Sequence, residues 1–386
     1  MHKRLGLTLF AGLAIFVSAC SGSGSSASPS AAAPSAAASA APSAAASASA
    51  SAEASASASA SAETATCDKK LKVGLVTDVG RINDKGFNQS AYEGMQAALA
   101  AAPTCFDTKY IETQSQSDYA KNIAEFTDAG SDIVIGVGFL LGDALGDAAK
   151  ANPNIKFVSV DGAPSKGHDE SWMTNGESLF FAEDQSGWMA GVLASQITKS
   201  NHIGVVGGLL VVPPVERFVE GYEAGAKSVK PDIKVDHVYT TSFTDPPQGS
   251  NAAQQMIGQG ADVIFGAGGL TGNGALEAAC KKPGTWAIGV DTDQFLTLPS
   301  VSKCIVSSAT KNVLGAVQSS LIRIAAGKFT PGFHTDDAST GGIKLAPFHD
   351  QAALITPEIQ TLLDTTYAGL ADGSIKTNVV VDQQPK

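Results

Sequence analysis

From residue 70 onward, short apolar runs of strand length alternate with longer stretches of helical character, and after residue 183 the alternation begins again. The first series has strands at 71–77, 111–112, 132–137 and 157–161, with helices at 89–101, 119–129 and 142–151. The second has helices at 184–199, 215–229, 249–259 and 274–280, with strands at 203–206, 235–240, 263–265 and 286–290. A strand that is apolar throughout is covered on both faces, and a helix between successive strands supplies a parallel crossover. The expected class is therefore α/β, with two Rossmann-like, doubly wound lobes in tandem. The strand at 304–309 and the helix at 312–326 are expected to return to the first lobe, and the chain after Gly341 to cross back. That gives 67–178 with 304–340 as the N-terminal lobe and 179–303 with 341–386 as the C-terminal lobe.

What precedes this pattern is of another kind. Lys3 and Arg4 open a short positive region, residues 5–17 form an apolar run, and Val17-Ser18-Ala19-Cys20 ends it. This is the layout of a secretory signal, and it is too short to be a stable membrane span. The last four residues resemble a bacterial lipobox, which implies that residues 1–20 are signal and that Cys20 is acylated. Residues 21–66 are almost entirely Ser and Ala, so burial cannot offset the entropy of ordering them. They are expected to form a flexible tether reaching about 35–40 Å on average. Lipid-anchored placement on the extracytoplasmic face of the cell membrane follows.

The body beyond residue 66 is large enough for two cores. A net charge of -11 argues against a nucleic-acid partner and against adhesion to anionic lipid through basic patches. Four further cysteines, Cys67, Cys105, Cys280 and Cys304, form an even set in an exported chain, which favours disulfides. Of the three pairings, Cys67–Cys105 with Cys280–Cys304 is favoured because each would join neighbouring elements of one lobe. None has the close spacing of a zinc site.

In parallel α/β sheets, ligands bind beyond the C-terminal ends of the strands. Those ends carry Asp78 with the loop through Asn83, Asp84, Phe87 and Asn88; Phe139; Asp161; Phe243-Thr244-Asp245; the run from Gly266 to Gly272 containing Gly268 and Gly269; Asp291; and Lys311. Carboxylates accept hydrogen bonds from sugar hydroxyls, and aromatic faces stack on flat rings. Any one such Asp could equally be a turn or helix cap. Convergence of several ends from two lobes favours a neutral, hydroxyl-rich, partly aromatic ligand.

The stretch from Lys72 to Gln89 resembles the opening signature of the basic membrane protein family of ABC-transporter substrate-binding lipoproteins, which includes purine nucleoside receptors. The segments 138–145, 181–187, 205–208 with 214–218, 261–265 with 268–274, and 288–294 resemble further motifs in the same order. The resemblance implies a type I periplasmic binding protein fold, with a nucleoside held between two lobes. Carried over by position, Phe87 and Phe265 would sandwich the base. Asp78 and Asn83-Asp84 would meet its polar edge, and Asp291 and Lys311 would hold the ribose. Asp161, Gly268 and Gly269 would line the cleft, with Phe139 nearby. The implied partner is an ABC permease, the implied state a monomer, and no cofactor or metal is called for.

No enzyme is expected. The run from Gly136 to Gly142 has the wrong spacing for a dinucleotide fingerprint, and no P-loop, HExxH or GxSxG motif is present. Two alternatives share the fold: a receptor for a sugar or autoinducer-like ligand, and a sensor that presents its closed form to a membrane receptor.

Overall fold

A computed structural model describes residue 67 and residues 69–162 and 174–381. The expected signal, Cys20 and the Ser/Ala tether lie outside the described residues. In chain order the elements are β1 (Leu71–Val79), α1 (Phe87–Ala101), β2 (Phe106–Thr113), α2 (Tyr119–Asp128), β3 (Ile133–Val137), α3 (Gly142–Ala151), β4 (Lys156–Val160) and β5 (Gly176–Phe181). Next come α4 (Glu183–Ile197), β6 (His202–Gly207), α5 (Pro213–Val229), β7 (Lys234–Tyr239), α6 (Pro246–Gly258), β8 (Val263–Ala267), α7 (Gly269–Cys280), β9 (Trp286–Asp291), the one-turn α8 (Gln294–Thr297) and β10 (Ile305–Lys311). The chain then runs through α9 (Val313–Ala325), β11 (Gly332–Asp336), β12 (Ile343–Leu345) and α10 (Pro357–Ala371).

Two six-stranded sheets result, ordered β11-β5-β4-β3-β1-β2 and β12-β10-β9-β8-β6-β7. All pairings in the first are parallel, and in the second only β12 runs antiparallel, against β10. β3 and β8 are buried along their whole length, as helices on both faces require.

Two boundaries differ from the sequence expectation. Residues 176–181 pair with β4, so the first crossing between lobes falls at Ala182 rather than at 178. The polar residues Glu177 and Ser178, both buried, hid this strand from a reading based on apolar runs. The strand expected to return to the first lobe at 304–309 is β10, and it lies beside β9 in the second sheet. A strand following a crossover pairs most readily with the strand that preceded it, and the return to the first lobe is made by α9 and β11, which pairs with β5. Val313, Val317 and Leu321 of α9 then pack with Met95 and Ala98 of α1 in the first lobe's core.

The three crossings run side by side. The Ala182 amide donates to the Asp336 carbonyl at 2.9 Å, and the Asn312 amide to the Gly342 carbonyl at 2.8 Å. Disulfides join Cys67 to Cys105 and Cys280 to Cys304. No helix among the described residues is long and apolar enough to cross a membrane.

Candidate functional site

The strand ends of both lobes face one cleft, lined by Asp78, Phe87, Asp161, Phe218, Asp291 and Lys311 among others. β1 delivers Asp78 to it. The Asp78 amide donates to Asn88 Oδ1 at 3.1 Å, and its carboxylate accepts from the Val79 amide at 2.6 Å and from the buried Tyr119 hydroxyl. Burial pushes Asp78 up to about 6, against the pull of those two donors. The loop then turns on Asp84, whose carboxylate accepts from the amides of Gly86 and Asn88 at 2.9 Å and Gln89 at 3.1 Å. Asp84 thus caps α1 as well as bordering the cleft. The cap fixes the first turn of α1, and with it Phe87, whose ring enters the cleft.

Opposite, β4 and β9 occupy corresponding places in their sheets, one strand on from β3 and β8. Asp161 directly follows β4 and Asp291 closes β9, both in left-handed backbone conformation, at φ +57° and +65°. Strained backbone of this kind persists where the surroundings over-determine it. Between the two lies the ammonium of Lys311, at the end of β10. It pairs with Asp161, with Glu183 at 3.2 Å and with Asp291 at 3.8 Å. It also lies 4.6 Å from the centre of the Phe87 ring and 5.6 Å from that of Phe218. Glu183 in turn accepts from Arg217 Nε at 2.9 Å.

Burial opposes every charge here, and the neighbours decide the outcome. Desolvation raises Asp161 to about 7 and Asp291 to about 6, with Lys311 pulling the other way. Burial would raise Glu183 too, but Lys311 and Arg217 outweigh it and hold that carboxyl below its ordinary value. Burial would lower Lys311, yet the carboxylates around it keep it above its ordinary value. Among the described residues, Asp161 Oδ1 is buried without a hydrogen-bond partner.

Of the residues picked out by sequence, Asp78, Asp84, Phe87, Asn88, Phe139, Asp161, Gly268, Gly269, Asp291 and Lys311 border this cleft. Two do not. Asn83 is exposed and sits beside Arg81 and Gln114 in an adjoining outer depression. Phe265 is fully buried in the second lobe's core, its ring 5.2 Å from that of Tyr222 and 6.0 Å from that of Phe218. Strand alternation explains this: Phe265 lies two residues short of the end of β8, on the face that Val263 and Ala267 also turn to the core.

The aromatic wall of the second lobe comes instead from Phe218 on α5 and from Phe243 in the loop after β7. Pro214, Val215 and Phe218 all border the cleft, at i, i+1 and i+4 on the first turns of α5. That spacing, directly after the helix-opening Pro213-Pro214, was the available signal. Glu183 and Arg217 lay within the family-like segments 181–187 and 214–218 without being singled out, because each acts from behind the wall, and Tyr119 carried no signal. Among the described residues no cluster of His, Cys, Asp and Glu could hold a metal ion.

Solved structures share this two-lobed architecture. A crystal structure of an ABC transporter solute-binding protein from Aeropyrum pernix K1 matches 79% of this chain and 92% of its own, with a TM-score of 0.70 at 24% identity. A second, from Conexibacter woesei DSM 14684, covers 79% of this chain and 98% of its own with a TM-score of 0.62, also at 24% identity. The fold is that of a type I periplasmic binding protein. The sequence profile of the PnrA-like ABC transporter substrate-binding proteins matches residues 71–360, and the chain belongs to that family. The ABC transporter nucleoside-binding protein BmpA of Lactococcus lactis subsp. cremoris is 36% identical over 321 residues, covering 79% of this chain and 88% of that one. Basic membrane protein A of Borreliella burgdorferi is 33% identical over 244 residues, 63% of this chain and 68% of its own.

Proposed function

We propose that this protein captures a nucleoside, a purine nucleoside by preference, and hands it to the permease of an ABC importer from the outer face of the cell membrane, where acylated Cys20 anchors it as a monomer. One observation carries the choice of ligand. Two strand-end carboxylates, one from each lobe, meet one buried ammonium beside the rings of Phe87 and Phe218. Asp161 Oδ1 and Asp291 are acceptors for ribose hydroxyls. Phe87 and Phe218 offer faces to the base, and Asp78 an acceptor for its polar edge. The nucleoside-binding name of the Lactococcus relative supports the same reading. The ligand is held but not chemically changed in this scheme; binding favours the closed form, and the permease reads that form.

The test is mass spectrometry of the small molecule released from the purified full chain by acid, followed by calorimetry with inosine, adenosine, guanosine, uridine and D-glucose. Recovery of a purine nucleoside, and saturable heat with inosine, adenosine or guanosine, is the expected result. Heat with glucose alone moves the protein to the sugar-binding branch of the fold and overturns the proposal.

A further inference from the structure

Behind the cleft wall, three side chains of the second lobe hold the main chain of the first. Asn273, on α7, donates from Nδ2 to the Asp84 carbonyl at 2.9 Å. Gln294, on α8, donates from Nε2 to the Lys85 carbonyl at 3.1 Å, and Thr297 donates from Oγ1 to the same carbonyl at 2.8 Å. Gln294 is itself fixed on every side. Its Oε1 accepts from the Val290 amide at 2.9 Å, its main-chain amide donates to Ser308 Oγ at 3.1 Å, and its Nε2 also reaches Asn273 Oδ1 at 2.8 Å. Gln294 is 1% exposed and Asn273 6%. None of the three borders the cleft.

What they grip is the turn that carries the ligand-facing loop. Lys85 has φ +69°, a conformation that a lysine adopts only when held. The residue before it caps α1, and two residues further on Phe87 enters the cleft. Separating the lobes would strip both carbonyls of these donors and leave a buried amide network open to water. The grip therefore opposes opening whether or not a ligand is present.

We propose that Asn273, Gln294 and Thr297 form a closure latch: positioning residues that act through the Asp84–Lys85 main chain and set both the closed fraction of the unligated protein and the rate at which a captured ligand leaves. Because apparent affinity scales with the fraction of binding-competent protein, the latch tunes affinity without touching the ligand. Only the ligand-release half of this proposal rests on the nucleoside reading.

The test uses the full chain and two variants. Thr297→Val keeps the shape and removes one donor. Gln294→Glu keeps the acceptor for Val290 and turns a carboxylate toward the Lys85 carbonyl. Small-angle X-ray scattering of the unligated proteins is expected to show a larger radius of gyration for both variants than for the parent, at an unchanged circular dichroism spectrum. Stopped-flow displacement is expected to show inosine leaving Thr297→Val roughly 2- to 12-fold faster, the worth of one hydrogen bond. Superimposable scattering of parent and Thr297→Val overturns the latch, whatever inosine does. If the parent binds none of inosine, adenosine and guanosine, the nucleoside reading fails, while the scattering still decides the latch. Should Gln294→Glu fail to fold, the scattering of Thr297→Val is decisive by itself.

Discussion

At the scale of single residues, the cleft gathers more carboxylate than cation. Asp161, Glu183 and Asp291 share Lys311 and Arg217, and Asp78 stands apart with Tyr119. Asp78, Asp161 and Asp291 all have folded-state values above the ordinary 3.8. Between pH 4 and the values near 6 to 7, the folded protein thus holds protons that an unfolded chain has released. These three groups consequently lower the stability of the unligated protein as pH rises through that window. A ligand that donates hydrogen bonds to the ionised carboxylates has the opposite preference. Binding of the proposed nucleoside ligand is accordingly expected to tighten with rising pH and to release protons near pH 6. From pH 7.5 to pH 5, one group titrating at about 6 weakens binding by about 10-fold. Calorimetry in buffers of different ionisation heat reads the proton release directly. Asp291→Asn tolerates the left-handed backbone that Asp291 adopts, so it isolates the charge. A loss of about 10- to 100-fold in nucleoside affinity is expected from it, the worth of a charge-assisted hydrogen bond. An unchanged affinity would remove Asp291 from the ribose site.

At the scale of elements, the cleft depends on how closely helices approach one another. A Cβ at Gly191 of α4 would collide with the main chain of α5 at Tyr222, and one at Gly274 of α7 with the main chain of α6 at Pro246. The first of these contacts sets α4 against α5, and so sets Glu183 against Arg217 and Phe218 beside the cleft. Gly191→Ala is expected to destabilise the protein by about 2–3 kcal/mol through overpacking. Denaturant unfolding measures that loss directly. Sequence made the strands that are apolar throughout easy to find, as with β3 and β8. It concealed β5, whose Glu177 and Ser178 read as loop, and it assigned β10 to the wrong sheet. No local pattern states which sheet a strand joins. Carry-over from the family resemblance placed Phe265 at the ligand, and its depth along β8, two residues short of the end, sets it in the core instead. Phe218, within the family-like segment 214–218, was not assigned to the ligand, because it sits on a helix whose cleft-facing side is short. Asp78, Asp161, Asp291 and Lys311 were legible because a strand end is a position that topology alone makes functional.

At the scale of the whole molecule, the lobes are joined by three adjacent crossings at 182, 311–312 and 336–342. The ring-flanked ammonium is shared by carboxylates from both sides, so an added phosphate would bring further negative charge into a site already rich in it. The 5′-monophosphates of the proposed nucleoside ligands are expected to bind at least about 100-fold more weakly than the nucleosides, a difference of about 3 kcal/mol. Competition calorimetry with inosine against its monophosphate checks this. Comparable affinities would mean that Lys311 is free to leave its carboxylates, contrary to its enclosed geometry.

The order in which the strands are laid down also bears on how the protein comes into being. α9 covers the first lobe's core and β11 completes its sheet, yet both follow the whole of β6 to β10 in the chain. A polypeptide emerging from its N-terminus therefore displays Met95, Ala98 and their apolar neighbours unroofed until residue 325 has appeared. Completion of the earliest-made core therefore waits on elements that follow most of the second lobe in the chain.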